Sequence, residues 1–380
     1  MFGVEPLLHG GGPYDDLLSL VDVDSLLTGY GLRRPSVRLV REGEMIEPSS
    51  WTRRVRTGAV TVDDAIDPAR VLDHYADGAT VVLQSLHRWW PPIARFCREL
   101  ESELGHAVQA NAYLTGPGAV GLAPHHDTHD VFVLQLHGTK HWVVREPLVE
   151  APLRRHRSNA EVAARQPVLL TTELVPGSCM YLPRGFVHSA KAREGSSLHL
   201  TIGVLATTAA DVVRRVAHLA GEHPVLRRSL PAGWATDPSI AGQVVKEIVA
   251  ELMSFVGSVD PDEIAGSMAE RFVGSREPLL DGRLVELERL STLHDRTVVT
   301  HRDHLGPGVV EAEEQLVRLH AADRNVELPA ALGPAVRRLL DGQPRAVGEL
   351  SDALDAPSRL VLVRRLVREG LLTIVASNDG

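Results

Sequence analysis

The chain has 380 residues, 44% hydrophobic and 23% charged, the composition of a globular protein long enough for two or three domains. Its formal net charge of −9 at pH 7 argues against a whole-molecule phosphate-binding surface and leaves room only for a local basic groove. Cys97 and Cys179 are too few for a disulfide framework, and no apolar run reaches the roughly 18 residues of a membrane span. The first residues lack the basic, apolar and small-residue pattern of a secretory signal, so the cytoplasm is the expected location.

Residues 1–13 read as a flexible lead-in, and 16–30 carry helical apolar spacing that Arg33-Arg34-Pro35 ends. Residues 51–77 read as acidic turns with a short helix over 68–75; 79–84 is a strand candidate. A helix is expected over 90–104, its prolines near the start, where a missing N–H costs nothing. Cys97 on that helix has no activating neighbour in sequence and reads as buried filler. The loop GPGAVGLAP lacks the Lys-Ser/Thr ending of a phosphate-binding loop. Short strands at 109–114, 131–135, 142–144, 168–174, 180–182 and 198–204, separated by Gly and Pro turns, suit a sandwich or barrel of jelly-roll type.

After Val204 the pattern turns helical, with candidates at 206–219, 243–256 and 261–272, and the apolar LMSFV at 252–256 asks for burial. Strands are expected at 298–300 and 309–311. LGPAVRRLLDG, AVGELSDAL and SRLVLVRRLVREGLLTIV then read helix, helix, helix, strand, the order of a winged helix. Three parts follow: 1–205, 206–284 and 285–380. Arg359, Arg364, Arg365 and Arg368 could meet nucleic acid, but an acidic surrounding chain without interleaved aromatics favours a solvated helix face.

The chemistry concentrates in PHHDTHDVFVLQLHGTKHWVV, residues 124–144. On an extended strand, positions i and i+2 share a face, so His125 and Asp127 can reach one ion while His126 points away. His188, in LVPGSCMYLPRGFVHSA, can supply a third ligand from a neighbouring strand. Two His and one carboxylate with open positions form the facial triad of non-haem Fe(II) oxygenases. His129-Asp130 is a second possible pair. Arg184 and Gly185 are expected to shape the turn before His188. Ser197 and His199 share a late strand face, lining a channel or stabilising the sheet.

DPARVLDHYADGATVVLQSLHRWWPPIARFCRELESELG, QANAYLTGPGAVGLAPHHDTHDVFVLQLHGTKHW and PGSCMYLPRGFVHSA together resemble the JmjC-domain ribosomal oxygenases, cupin-fold enzymes that hydroxylate residues of ribosomal proteins. The resemblance runs over about residues 15–205 and favours His125, Asp127 and His188 as the ligand set. It implies a mainly β catalytic core, a double-stranded β-helix (jelly roll), with a helical middle region and a C-terminal winged-helix domain. It further implies Fe(II), 2-oxoglutarate held at its C5-carboxylate by Lys140, and Asn111 and Tyr113 lining that pocket. The reaction would couple decarboxylation of 2-oxoglutarate to succinate and CO2 with hydroxylation of a histidine or arginine. A homodimer through the helical segment, a ribosomal-protein or other peptide substrate, and no membrane are the expected partnerships; direct nucleic-acid binding is not expected. His126 departs from the tyrosine usual in the family. Competing readings are a cupin isomerase or dioxygenase without 2-oxoglutarate, acting on a small molecule or natural-product peptide, an N-methyl-lysine demethylase, and a binding module that has kept the fold. The Ala-, Arg-, Leu- and Val-rich, Lys-poor composition favours a bacterial ribosomal protein or biosynthetic peptide over a histone.

Overall fold

A computed structural model describes residues 2–302, 309–312, 315–321 and 324–375. The chain divides into two compact units, Met1–Ala206 and Thr207–Gly380.

The first unit opens with β1 (Leu7–His9), α1 (Leu20–Gly29), β2 (Val37–Arg41), β3 (Glu44–Met45), β4 (Thr52–Thr57), β5 (Val60–Ile66), α2 (Pro68–Ala76), β6 (Thr80–Leu83), α3 (Pro91–Leu104) and β7 (Ala107–Thr115). It continues with β8 (His125–His126), β9 (Asp130–His137), β10 (Lys140–Pro147), α4 (Ala160–Ala164), β11 (Val168–Leu174), β12 (Cys179–Leu182), β13 (Phe186–Ala192) and β14 (Ser197–Leu205). An eight-stranded sheet runs β1-β12-β9-β14-β7-β6-β2-β3, and a four-stranded sheet runs β11-β10-β13-β8.

Period-two alternation gives the larger sheet two different faces. Ala110, Ala112 and Leu114 of β7 and Leu198, Leu200, Ile202 and Val204 of β14 join one apolar core with Leu26 and Leu27 of α1 and Ile93 and Cys97 of α3. The intervening residues, Asn111, Tyr113 and Thr115, pair across the ladder with Thr201, His199 and Ser197 and so share the other face. A second apolar cluster combines Val131 and Val133 of β9 with Trp142 and Val144 of β10. Burial pushes the Cys97 thiol up to about 12, in keeping with buried filler.

Local signals set the helix ends. Ser19 accepts from the Asp22 N–H and Asp22 returns the bond to the Ser19 N–H, so α1 starts at Leu20 rather than near 16. Gly105, at φ 65°, ends α3. The lead-in is partly ordered, contrary to expectation: Leu7, Leu8 and His9 pair with Tyr181, Met180 and Cys179, because β12 would otherwise end the sheet with unpaired backbone groups. Met1 lies outside the described residues. The β4–β5 hairpin was also missed. Its cross-strand support includes the Arg54–Asp63 ion pair, which apolar periodicity does not register.

The second unit holds α5 (Ala209–Glu222), α6 (Pro238–Ser258), α7 (Pro261–Gly274), α8 (Arg283–Arg289), β15 (Val298–His301), β16 (Val309–Ala312), β17 (Leu316–Ala321), β18 (Arg324–Pro329), α9 (Gly333–Leu339), β19 (Arg345–Ala346), α10 (Ala356–Glu369) and β20 (Leu372–Ile374). Its sheets are β19-β15-β20 and β16-β17-β18, and one core joins Val299, Val317, Leu319, Val336, Leu350, Leu362 and Leu366. The helix expected over 346–354 is only a 3-10 turn, Val347–Leu350. Val347 and Gly348 donate their backbone N–H groups to the carbonyls of Thr297 and Asp295, and these tertiary bonds override helical propensity. Arg359 is not a solvated residue: it is buried and grips both Asp295 carboxylate oxygens at 2.8 and 2.6 Å. Among the described residues no helix is long and apolar enough to cross a membrane.

The turn between β12 and β13 has little freedom. Gly185 sits at φ 94°, and a Cβ there would lie 2.2 Å from the Val149 carbonyl oxygen. Gly185→Ala should therefore cost about 2–4 kcal/mol in a denaturant unfolding experiment. An unchanged midpoint would show that the turn yields freely.

Candidate metal centre

The strand β8 is two residues long and forms the edge of the four-stranded sheet. Its register on β13 places His125 opposite His188 and His126 opposite Val187. Directly opposed residues of an antiparallel pair face the same way with Cβ atoms about 5 Å apart, so the two imidazoles converge. Their ring centroids are 4.4 Å apart. Asp127 follows the strand; its carbonyl accepts from Gly185 N–H at 3.0 Å, and its carboxylate Oδ2 lies 3.6 Å from His188 Nε2. One ligand atom from each of His125, Asp127 and His188 falls within 4.8 Å of the others, and no other such group forms among the described residues.

Each histidine is turned for coordination. His125 Nδ1 lies 2.8 Å from the Ala123 carbonyl and His188 Nδ1 lies 3.2 Å from the Phe186 carbonyl. An Nδ1–H donating to these oxygens leaves the Nε2 lone pair for an ion. Burial and the neighbouring His125 hold His188 down to about 4, so it is neutral at pH 7. Burial opposes ionisation of Asp127, yet His188, His125, His129 and His126 around it hold its carboxyl below the usual range. The donor set is thus two imidazole nitrogens and one carboxylate, which fits a divalent transition metal.

The neighbouring histidines and acid are otherwise engaged. His126 is buried away from the cluster, its Nε2 3.2 Å from the His156 carbonyl and its backbone N–H on Ser158 Oγ. Asp130 accepts from the Arg184 N–H at 2.7 Å and hydrogen-bonds the Tyr181 hydroxyl, so it fastens the turn before His188. His129 packs over Gly203, where a Cβ would come within 2.5 Å of its ring.

Beside the triad lies a buried cation. Lys140, first residue of β10, is 2% exposed and donates to Thr115 Oγ1 at 2.9 Å, with His199 Nδ1 at 3.5 Å. Thr115 Oγ1 in turn lies 3.2 Å from Thr80 Oγ1. No carboxylate pairs with Lys140 among the described residues, and burial pushes its ammonium down to about 7. Tyr113 stacks on His199 with centroids 5.0 Å apart and planes 6° from parallel, while Trp142 meets His199 edge-on at 5.5 Å. Arg38 hydrogen-bonds the Tyr113 hydroxyl. Asn111 Oδ1 accepts from the Ser85 N–H at 2.9 Å, leaving its amide nitrogen as the free donor. The structure therefore brings together the triad and, separately, Lys140 with the β7–β14 face that carries Asn111 and Tyr113. Thr115 and Arg38 escaped the sequence reading, although Thr115 continues the alternation of Asn111 and Tyr113.

The family model of the JmjC domain matches residues 83–212. The chain is 34% identical over 201 residues to ribosomal oxygenase 1 of Gallus gallus, covering 52% of this chain and 32% of that protein. It is 29% identical over 249 residues to the bifunctional lysine-specific demethylase and histidyl-hydroxylase NO66 of Dictyostelium discoideum, covering 60% of this chain and 48% of that protein. The chain thus spans less than half the length of these curated relatives. Ribosomal oxygenase YcfD of Escherichia coli, solved in complex with cobalt and 2-oxoglutarate, superposes with a TM-score of 0.56 at 18% identity, covering 99% of this chain and 96% of that one. At that identity the likeness is one of fold. Residues 83–212 thus match the JmjC domain on a cupin-type fold, and the chain is similar to the ribosomal oxygenases.

Proposed function

We propose that this chain is an Fe(II)- and 2-oxoglutarate-dependent oxygenase that hydroxylates a histidine or arginine side chain of a ribosomal protein. The observation that carries this reading is a two-histidine, one-carboxylate cluster beside a buried lysine that lacks an acid partner among the described residues. A buried ammonium without a counter-charge is costly unless an anion arrives. Gly121 borders the ammonium, its bare Cα leaving only ordinary contacts for an added Cβ, with the Ala190 carbonyl at 3.6 Å and Lys140 Nζ at 3.7 Å. These features fit a dicarboxylate whose far end meets Lys140 while its 2-oxo acid end faces the triad.

His125, Asp127 and His188 would hold the iron, which supplies dioxygen chemistry when bound. Overall, one dioxygen oxygen enters the substrate C–H bond as hydroxyl and the other enters succinate as CO2 leaves. The chain's own residues fix geometry for that exchange. Lys140 anchors the distal carboxylate, and the Asn111 amide and Tyr113 hydroxyl offer further hydrogen bonds. Val131, Val133, Trp142 and Val144 close the interior with apolar side chains that exclude water. The relatives' names support a ribosomal-protein target, and histidyl hydroxylation is named for the Dictyostelium protein.

The helical part, 206–284, is proposed as a homodimer surface. None of α6 is buried, and Val245, Ile248, Val249, Leu252, Met253 and Val256 form one exposed apolar stripe at helical spacing, Met253 being 71% exposed. Residues 285–380 are read as a winged helix with a structural role, supported by the β19-β15-β20 sheet packed with α9 and α10.

Asp127→Ala and His188→Ala should each weaken Fe(II) binding by more than ~100-fold and abolish succinate formation from 2-oxoglutarate. Iron binding at wild-type strength in both variants would remove these residues from the metal. With a ribosomal-protein extract, wild-type turnover should rise and yield a peptide heavier by one oxygen; formaldehyde release from methylated peptides instead would identify a demethylase.

The lysine gives a pH test. Lys140 at about 7 lies below its ordinary 10.5, so an anion that favours the ammonium must draw in a proton above pH 7. Calorimetry of 2-oxoglutarate binding at pH 8 in buffers of different ionisation heat should show uptake of roughly one proton, with affinity weakening as pH rises. Between 7 and 10.5 the unfolded chain binds the extra proton, so the cost of Lys140 to folding is full below pH 7 and fades as pH rises. Lys140→Met should therefore melt higher than wild type at pH 7 without ligand and lose the ligand-induced rise. A lower melting point would mean that an unseen partner already stabilises the ammonium.

A further inference from the structure

We propose that His199 is a positioning residue for Lys140, which with Thr115 aims the lysine's one remaining N–H into the pocket. This inference rests on the reading of Lys140 as the carboxylate anchor. An ammonium has three N–H donors and no acceptor. One donates to Thr115 Oγ1 at 2.9 Å and a second faces His199 Nδ1 at 3.5 Å. With two directions of a tetrahedral nitrogen occupied, the third is fixed, and the bare Gly121 borders the same nitrogen at 3.7 Å from its ideal Cβ.

His199 can serve only if its ring stays put with Nδ1 as acceptor. Three contacts hold the plane. Tyr113 stacks at 5.0 Å and 6°, Trp142 packs edge-on at 5.5 Å, and the β14 backbone places His199 opposite both Tyr113 of β7 and Gln135 of β9. The ring is 3% exposed, so water does not compete for Nδ1. Stacking alone would suit a phenylalanine equally well; a nitrogen acceptor directed at a buried lysine has no such equivalent. Thr115 is tied at its other side to Thr80 Oγ1 at 3.2 Å, so both acceptors on the ammonium are themselves held.

The geometry makes His199 a determinant of which 2-oxo acid is preferred rather than of metal binding. Its influence passes through Lys140 to the distal carboxylate, so a ligand lacking that carboxylate should not sense it. The test is calorimetric binding of 2-oxoglutarate and of 2-oxopentanoate, which lacks the distal carboxylate, to Mn(II)-loaded full-length protein. His199→Phe keeps the stack and removes the acceptor; His199→Asn puts an oxygen near the Nδ1 position and removes the stack. His199→Phe should lose about tenfold in affinity for 2-oxoglutarate, the scale of one hydrogen bond to a charged group, and nothing for 2-oxopentanoate. His199→Asn should recover most of that loss.

Equal losses for both ligands, or wild-type preference in His199→Phe, would overturn the proposal. If His199→Phe does not fold, Thr115→Val removes the companion acceptor at constant shape and should show the same selective loss. Wild-type preference in that variant would overturn the proposal as well. Lys140→Met separates this inference from the reading beneath it. A variant that still prefers 2-oxoglutarate would show that the carboxylate anchor lies elsewhere, whatever His199 does.

Discussion

The short ladder between β8 and β13 is the constraint on which the metal centre depends. Two residues of edge strand bring His125 opposite His188, and the carbonyl of the next residue, Asp127, receives the N–H of Gly185. A slip of one residue would exchange His125 for His126 and turn the ligand face outward. Several bonds outside the ladder oppose that slip. His126 is pinned on its far side by Ser158 and the His156 carbonyl, and Asp130 holds the Arg184 N–H. Residues that look like spare ligands in the sequence therefore keep His125 and His188 in register.

The larger sheet solves a different problem, placing ionisable groups inside a protein without losing the core. Its strands β7 and β14 pay for nothing on their outer face, which is wholly apolar and packs on α1 and α3. The inner face can then carry Asn111, Tyr113, Thr115, Ser197, His199 and Thr201 in facing pairs. Each partner supplies some of the other's hydrogen bonding or stacking, as with Tyr113 on His199 and Thr115 beneath Lys140. Lys140, from β10, adds a positive charge beside that face whose burial is costly without a counter-charge.

The parts legible in the sequence were those governed by spacing along one strand. His125 and Asp127 could be paired from the period of two, and Asn111 with Tyr113 in the same way. A core of many short strands followed from runs punctuated by Gly and Pro, and the JmjC likeness from whole segments. What depended on cross-strand register was not legible. His199 reads in the sequence only as a channel or sheet residue, because its position against Lys140 comes from strands far apart in sequence. The strands β17 and β18 were missed, and 346–354 was given helix because its composition favours one; backbone bonds to Thr297 and Asp295 decide otherwise. Arg359 reads as a surface charge in the sequence because its partner, Asp295, lies 64 residues away along the chain.

The termini of the eight-stranded sheet carry a further consequence. It ends in β1, three residues long, and β3, two residues long, both largely exposed. A strand from another molecule adding to either end would find too few free backbone groups to hold it. The four-stranded sheet is less guarded: β11 is seven residues long, with Val168 and Leu169 each 51% exposed on its free edge. Self-association by strand addition would thus begin at β11, and the segment Leu7–His9, which the sequence offered as a loose lead-in, acts as a stopper that keeps the larger sheet finite.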